Sequence, residues 1–169
     1  AHPGRVMGFP AGSAAPAPLG SDMGALLLAL AARDTPLWLS SDLNTPKTSA
    51  WIAFHCGSPL VQAPGQAVFA LAGKAMDMPP PDSFAIGTPE YPDRSATLLL
   101  MVESLSEGSG VGLQGPGING TVRLETGGVP ARFWQARAEL LPLYPLGIDL
   151  ILCAQGRLAA LPRTTLVEI

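Results

Sequence analysis

The chain is short of the residues from which most self-sufficient active sites are assembled. Its 169 residues include two histidines, His2 and His55, two lysines, Lys47 and Lys74, and two cysteines, Cys56 and Cys153. The cysteines lie far apart and show no CxxC or Cys/His spacing, which excludes the common zinc-binding patterns. A chain of this size can build a core without cross-links, so both thiols are expected reduced and partly buried. A Ser/His/Asp set would have to use His55, and no GxSxG motif is present to raise a serine. His55 and Cys56 cannot form a dyad, because neighbours on one element point apart. Both lysines fall in loop-like sequence, whereas a Schiff-base lysine is tuned by burial; no pyridoxal phosphate or other cofactor is expected. The thirteen acids are dispersed without metal-ligand spacing, and no metal site is expected.

Charge is sparse as well. Charged residues make up 14% of the chain, the net charge is −3, and the ten basic residues occur singly. That leaves no electrostatic footprint for nucleic acid. The longest apolar runs, Gly24–Ala32 and Ala96–Val102, are too short to cross a bilayer. No basic segment precedes an apolar one in the manner of a signal peptide, so a cytoplasmic location without membrane contact is expected. What is plentiful is apolar sequence, at 47%, together with 19 glycines and 18 prolines. This is a globular composition of one domain over residues 1–169, with many turns and short elements.

Along the chain, Gly4–Phe9 reads as a short strand and Phe9–Gly20 as a loop. Ser21 is placed as an N-cap, with Asp22 favourable to the helix dipole and Arg33 at the far end. Between them Met23, Leu26, Leu27 and Leu30 recur at helical spacing, and the all-round apolar character predicts a largely buried helix. Leu37–Leu39 reads as a strand, Asn44–His55 as a weaker helix, and Ala67–Leu71 as another strand. The uninterrupted run Ala96–Val102 predicts an interior strand covered on both faces, with the Ser21–Arg33 helix packed on it. Val111–Gln114 reads as a strand and Pro130–Leu140 as the last helix. Ile148–Cys153 and Leu158–Leu161 read as a hairpin, so the sheet is mixed. The fold class is α/β, a layered sandwich with helices on both faces.

Two segments concentrate candidate binding residues. Gly110–Gly115 and Gly115–Gly120 both match GxGxxG, but the second runs into Thr121–Thr126 with little helical periodicity. A dinucleotide fingerprint needs a helix there, so a turn with close backbone packing is expected; a looser phosphate-binding nest at Gly115 and Gly117 is the alternative. Asp149 lies inside an apolar strand and needs a partner. With an even hairpin loop, paired residue numbers sum to 311. Ile151 then opposes Ala160, Asp149 opposes Pro162, Thr164 shares the Asp149 face, and Arg163 points to the other. Asp149 is expected to be satisfied by Thr164 or a backbone N–H. Arg163, Thr164 and Thr165 form a donor set suited to a phosphate group or a partner chain. His55 is read chiefly as a packing or capping residue and secondarily as a phosphate donor.

Tyr144-Pro145-Leu146-Gly147-Ile148-Asp149-Leu150-Ile151-Leu152, Gly156-Arg157-Leu158, Leu161-Pro162-Arg163-Thr164-Thr165 and Val167-Glu168 together resemble the C-terminal signature of the PhnH family. His2-Pro3-Gly4, Leu26–Ala31 leading to Asp34–Leu39, Phe54-His55, Pro59–Val61 and Gly115–Ile118 match in the same order. The resemblance covers nearly all of the chain. It implies an H subunit of the bacterial carbon–phosphorus lyase system. With its sister subunits, such a protein supports transfer of the ribose-triphosphate part of ATP onto an alkylphosphonate, releasing adenine. It further implies a fold like the large domain of pyridoxal-phosphate transferases without the cofactor, a homodimer in isolation, and no catalysis alone. Family members usually carry a helix before the Pro-Gly that falls here at Pro3-Gly4, so a preceding segment is expected. The family supplies no agreed catalytic residues, and the site positions transferred are His55, Gly115, Gly117, Asp149, Arg163, Thr164 and Thr165. The competing reading is a stand-alone phosphate-ester enzyme or nucleotide-binding module using the Gly115–Gly120 loop and His55.

Overall fold

Alternation along one strand organises the molecule. In the computed structural model, which describes residues 2–9 and 12–169, Leu98 and Leu100 point into one core while Leu99 points into another. All three belong to β4 (Thr97–Met101) and are fully buried. A strand is apolar where both its faces are covered, which is why the three central residues of β4 are all leucine. β4 lies between β3 (Phe69–Ala72) and β7 (Asp149–Ala154) in a six-stranded sheet. That sheet also contains β1 (Met7–Gly8), β2 (Leu37–Leu39) and β8 (Arg157–Leu161), in the order β1-β8-β7-β4-β3-β2. β2, β3, β4 and β7 run parallel, β8 pairs antiparallel with β7, and β1 pairs antiparallel with β8. The sheet is therefore mixed, and β4 is interior, as its sequence predicts.

Helices α1 (Gly20–Leu30) and α2 (Pro46–His55) cover one face, where Leu19, Met23, Leu27 and Ile52 meet Leu71, Leu99 and Cys153. The other face receives α3 (Ala131–Ala138) through Phe133 and Trp134. It also receives a second sheet, β6-β5-β9, made of β5 (Leu105–Gln114), β6 (Val122–Thr126) and β9 (Leu166–Glu168). Leu105, Leu113, Leu124 and Val167 from that sheet complete the core.

Several local expectations change. Ser21 lies inside the first turn of α1; the cap position is Leu19, which offers no side-chain bond. Asp22 instead accepts a 2.9 Å hydrogen bond from the Gly156 N–H, tying α1 to the β7–β8 turn. The helix ends at Leu30 because Ala31 turns extended, which leaves Arg33 beyond it, packed against Gly57. Leu28 and Leu30 are 49% and 40% exposed, so the helix is not buried all round. α2 begins at Pro46 behind a Thr45 cap that accepts from the Thr48 N–H, not at Asn44. Of the Gly4–Phe9 stretch, only Met7 and Gly8 form strand, with the Gly4 N–H donating separately to the Ala160 carbonyl at 3.0 Å. Pro10 and Ala11 of the anticipated Phe9–Gly20 loop lie outside the described residues. β6, β9 and the first half of β5 have no forerunner in the sequence reading. The polar, glycine-containing stretch Glu107–Gly110 carries a register shift and lacks a period-2 apolar signal.

Cys153 is buried on the α1 face of β7, and both cysteines are free thiols. Burial, and then the Asp22 carboxylate, push the Cys153 thiol up to about 12; burial also raises Cys56. Alkylation of the native protein at pH 8 is expected to modify Cys56 before Cys153, the latter reacting only on unfolding. Between its ordinary value of 9.0 and about 12, the unfolded chain has released a proton that folded Cys153 retains. Stability should therefore fall with rising pH across that window, and less steeply in Cys153→Ala. Urea melts at pH 8 and pH 10 read the difference; equal pH slopes for the two proteins would refute it.

Candidate functional site

The hairpin β7–β8 has the anticipated register, with Ile151 opposite Ala160 and Cys153 opposite Leu158, closed by the two-residue turn Gln155-Gly156. Both turn residues have positive φ, the geometry that matches the twist of the flanking strands. At its open end β8 stops at Leu161, because Pro162 has no N–H to offer the ladder. The chain turns over Pro162–Thr165, with the Thr165 N–H closing on the Pro162 carbonyl at 2.9 Å. It then enters β9 of the second sheet, so at this turn the backbone crosses from one sheet to the other.

The crossing reverses one expectation. Strand alternation would send Arg163 to the face opposite Asp149, but alternation ends with the strand at Pro162. Freed from the ladder, the Arg163 N–H donates to Asp149 Oδ1 at 2.8 Å. Its guanidinium follows, with Nε on Oδ1 at 3.3 Å and Nη2 on Oδ2 at 2.7 Å. This forked pair is the single ion pair among the described residues, and its side chains are 17% (Arg163) and 32% (Asp149) exposed. Arg163 Nη1 donates to the Pro92 carbonyl. Asp149 thus takes a backbone N–H, as anticipated, but not Thr164. Three of the five Arg163 N–H groups are committed.

Two loops are gathered by this contact. Gly147 leaves room for Arg163, since a Cβ there would sit 3.2 Å from the arginine Cβ, and the Gly147 N–H donates to the Ile86 carbonyl. The loops around Tyr91–Pro92 and Leu143–Gly147 therefore lean on one side chain. They carry exposed Tyr91, Leu143 and Tyr144, with Arg94 over the Tyr91 ring at 4.0 Å.

Beneath the turn lies a residue the sequence reading did not single out. Arg137, on the last turn of α3, is 4% exposed. It donates to the carbonyls of Thr165 at 2.9 Å, Pro162 at 2.8 Å and Leu161 at 3.5 Å. Burial pushes its guanidinium down to about 10, partly offset by the Asp149 carboxylate, so it stays cationic at neutral pH. Its signal was present: Phe133, Trp134 and Arg137 fall on one helix face, and a charge among buried aromatics needs a partner.

The glycine motif joins this corner as structure. Gly110–Gly115 lies on β5, and Gly115–Gly120 forms the β5–β6 turn, with no helix following. At Gly115, φ is +137°, and a Cβ would lie 2.8 Å from the Thr164 carbonyl oxygen. Only glycine allows that approach. Gly117 sits in the same turn, where the Ile118 N–H returns to the Gly115 carbonyl. Thr164 flanks the corner, while Thr165 is buried. His55 is elsewhere. It is exposed at the end of α2, its ring tilted against Trp51 at 4.6 Å and edge-to-face with Phe54 at 4.9 Å. The strand preceding α2 is β2, three positions from β7, a separation of about 14 Å of sheet.

Comparison with known proteins agrees with the C-terminal signature now seen at the crossing turn. Residues 1–168 match the family described as bacterial phosphonate metabolism protein (PhnH). The chain is 40% identical over 168 residues to the alpha-D-ribose 1-methylphosphonate 5-triphosphate synthase subunit PhnH of Rhizobium meliloti (strain 1021), covering 99% of this chain and 84% of that protein. It is 29% identical over 168 residues to HtxG of Stutzerimonas stutzeri, whose name assigns it to a C-P lyase as a subunit; the match covers 99% of this chain and 80% of HtxG. A family match across the full fold, with the crossing turn built from its signature residues, places this chain in the PhnH family.

Proposed function

We propose that this chain is a subunit of a carbon–phosphorus lyase assembly. In that role it supports formation of ribose-1-phosphonate 5-triphosphate from ATP and an alkylphosphonate, with release of adenine. The observation that carries this reading is the near-complete alignment with a relative named as a subunit of that synthase. The geometry is compatible with a role in docking. The polar groups of the crossing turn are largely spent on one another, and no group of three or more His, Cys, Asp or Glu among the described residues would hold a metal. Both lysines are exposed, where nothing tunes an amine for Schiff-base chemistry. What the corner presents outward is aromatic and aliphatic surface on Tyr91, Leu143 and Tyr144. Tyrosines of this kind, beside arginine, are common anchors of protein interfaces.

Co-purification with the sister subunits, from a host grown on a phosphonate as sole phosphorus source, tests the reading. The Tyr91→Ala/Tyr144→Ala variant should melt within about 0.5 kcal/mol of wild type per exposed site. Recovery of sister subunits with it should drop at least tenfold, and growth should fail. Wild-type recovery by a normally folded double variant would remove this surface from the interface. Failure of the wild-type chain itself to recover any sister subunit would sink the subunit reading.

A further inference from the structure

Strands β3 and β4 end side by side, and the residues that follow them, Gly73-Lys74 and Val102-Glu103, open a crevice of about 180 Å³. Gly127-Gly128 close its far wall, returning from the second sheet. The rim is fastened there by the Glu103 N–H on the Gly127 carbonyl at 2.9 Å and the Gly127 N–H on the Ser104 carbonyl at 3.0 Å. The crevice thus lies at the carboxyl end of the parallel strands, the end of open α/β sheets at which ligands bind. The Asp149–Arg163 corner lies at the opposite, amino end of the same strands.

The walls are built for close approach. A Cβ on Gly73 would collide with the Asp42 carboxylate, which the fully buried Ser40 hydroxyl holds in place. On Gly128, with φ +80°, a Cβ would come within 3.0 Å of the Glu103 side chain. Lys74 and Glu103 are both exposed and line the same crevice, yet the ion pair found among the described residues is Asp149–Arg163 and not this one. Opposite charges that share a small crevice without pairing leave both free for a ligand. A simple anion on Lys74 would be opposed by Glu103 and by the Asp42 carboxylate behind Gly73, and a simple cation on Glu103 by Lys74. A molecule carrying both charges satisfies each end, with its aliphatic middle over Met101 and Val102. The volume lies below the roughly 300 Å³ at which pockets for drug-sized ligands begin, which suits a molecule of a few heavy atoms.

We infer that this crevice binds a small zwitterion, its anionic group on Lys74 and its ammonium on Glu103, separated by a short alkyl spacer. Amino carboxylates and aminoalkylphosphonates both supply that chemistry. The inference does not rest on the subunit reading, since the isolated chain suffices to test it.

Backbone amide shifts of the isolated protein, titrated with β-alanine, 2-aminoethylphosphonate, methylphosphonate and ethylamine, decide the matter. The expected result is saturable shifts at Gly73, Gly127 and Gly128 with at least one zwitterion, the tighter one identifying the head group. Methylphosphonate and ethylamine should each bind at least tenfold more weakly. Lys74→Met and Glu103→Gln, both at exposed positions, should each weaken the preferred zwitterion about tenfold, or about 1.4 kcal/mol, with the remaining spectrum unchanged. Absence of saturable shifts with either zwitterion would overturn the site. So would equal affinity for the singly charged probes, or variants that bind as tightly as wild type.

Discussion

Arg137→Ala is expected to lower stability by roughly 4 kcal/mol, and the melting temperature by about 10 °C, the largest single-residue loss outside the leucine core. The arginine is buried and holds three carbonyls of the crossing turn, two of them at 2.9 and 2.8 Å. Each buried acceptor left without a donor costs about 1–3 kcal/mol, and the missing side chain leaves a void beside Phe133 and Trp134. Arg137→Met separates the two causes, because it refills much of the volume while restoring no donor. It should recover less than half of the loss. The effect is that of a charged group at neutral pH. As pH rises past about 10, the folded chain loses this proton before the unfolded chain does, so the desolvation cost of the wild type declines. Urea unfolding at pH 7 measures the series. A loss under about 1 kcal/mol for Arg137→Ala would mean that water replaces the guanidinium and that the turn is not stapled by it.

Asp149→Ala should cost about 2–3 kcal/mol, and Arg163→Ala about 1–2 kcal/mol. The two are unequal because of the backbone. Arg163→Ala removes the guanidinium but keeps the N–H bond to Asp149 Oδ1, whereas Asp149→Ala strands that N–H together with the arginine. The double variant should show a coupling of about 1–2 kcal/mol, as for a partly buried forked pair. Arg163 also holds the Pro92 carbonyl, so its loss should loosen the loops that carry Tyr91 and Tyr144 and reduce recovery of sister subunits. Arg163→Lys, lacking the fork, should fall between. Equal losses from the two single variants would show that the backbone bond contributes nothing. A stably folded Arg163→Ala protein with wild-type melting that fails to support growth would return Arg163 to direct recognition.

Much of the layered fold was legible in advance where a segment's own pattern decides its place. The apolar run in β4 admits few settings other than a strand covered on both faces. The β7–β8 register followed from the two-residue turn and period-2 pairing, and Asp149 was marked by being a carboxylate inside an apolar strand. The family signature over Tyr144–Glu168 marked the crossing turn before its geometry was known. Gly115 stood out as a position of close packing, and its partner, the Thr164 carbonyl, lies 49 residues away by number (164 − 115).

What stayed hidden depended on which distant segments meet. β6 and β9 pair with a bulged, polar β5, and no local alternation announces a strand whose apolar contacts are few. Face alternation placed Arg163 away from Asp149, and the rule failed at Pro162, where the strand that justifies it ends. The Nη groups of Arg137 are held by carbonyls of a segment more than twenty residues on, which nothing within α3 specifies. The sequence by itself therefore determined the layers, the interior strand and the hairpin, because each follows from side-chain periodicity and turn chemistry within one segment. Contact between remote segments decided the second sheet, the Asp149–Arg163 fork and the crevice between Lys74 and Glu103. Those depend on how strand ends are brought together in space, and burial and electrostatics act on that arrangement only after the sheet has formed.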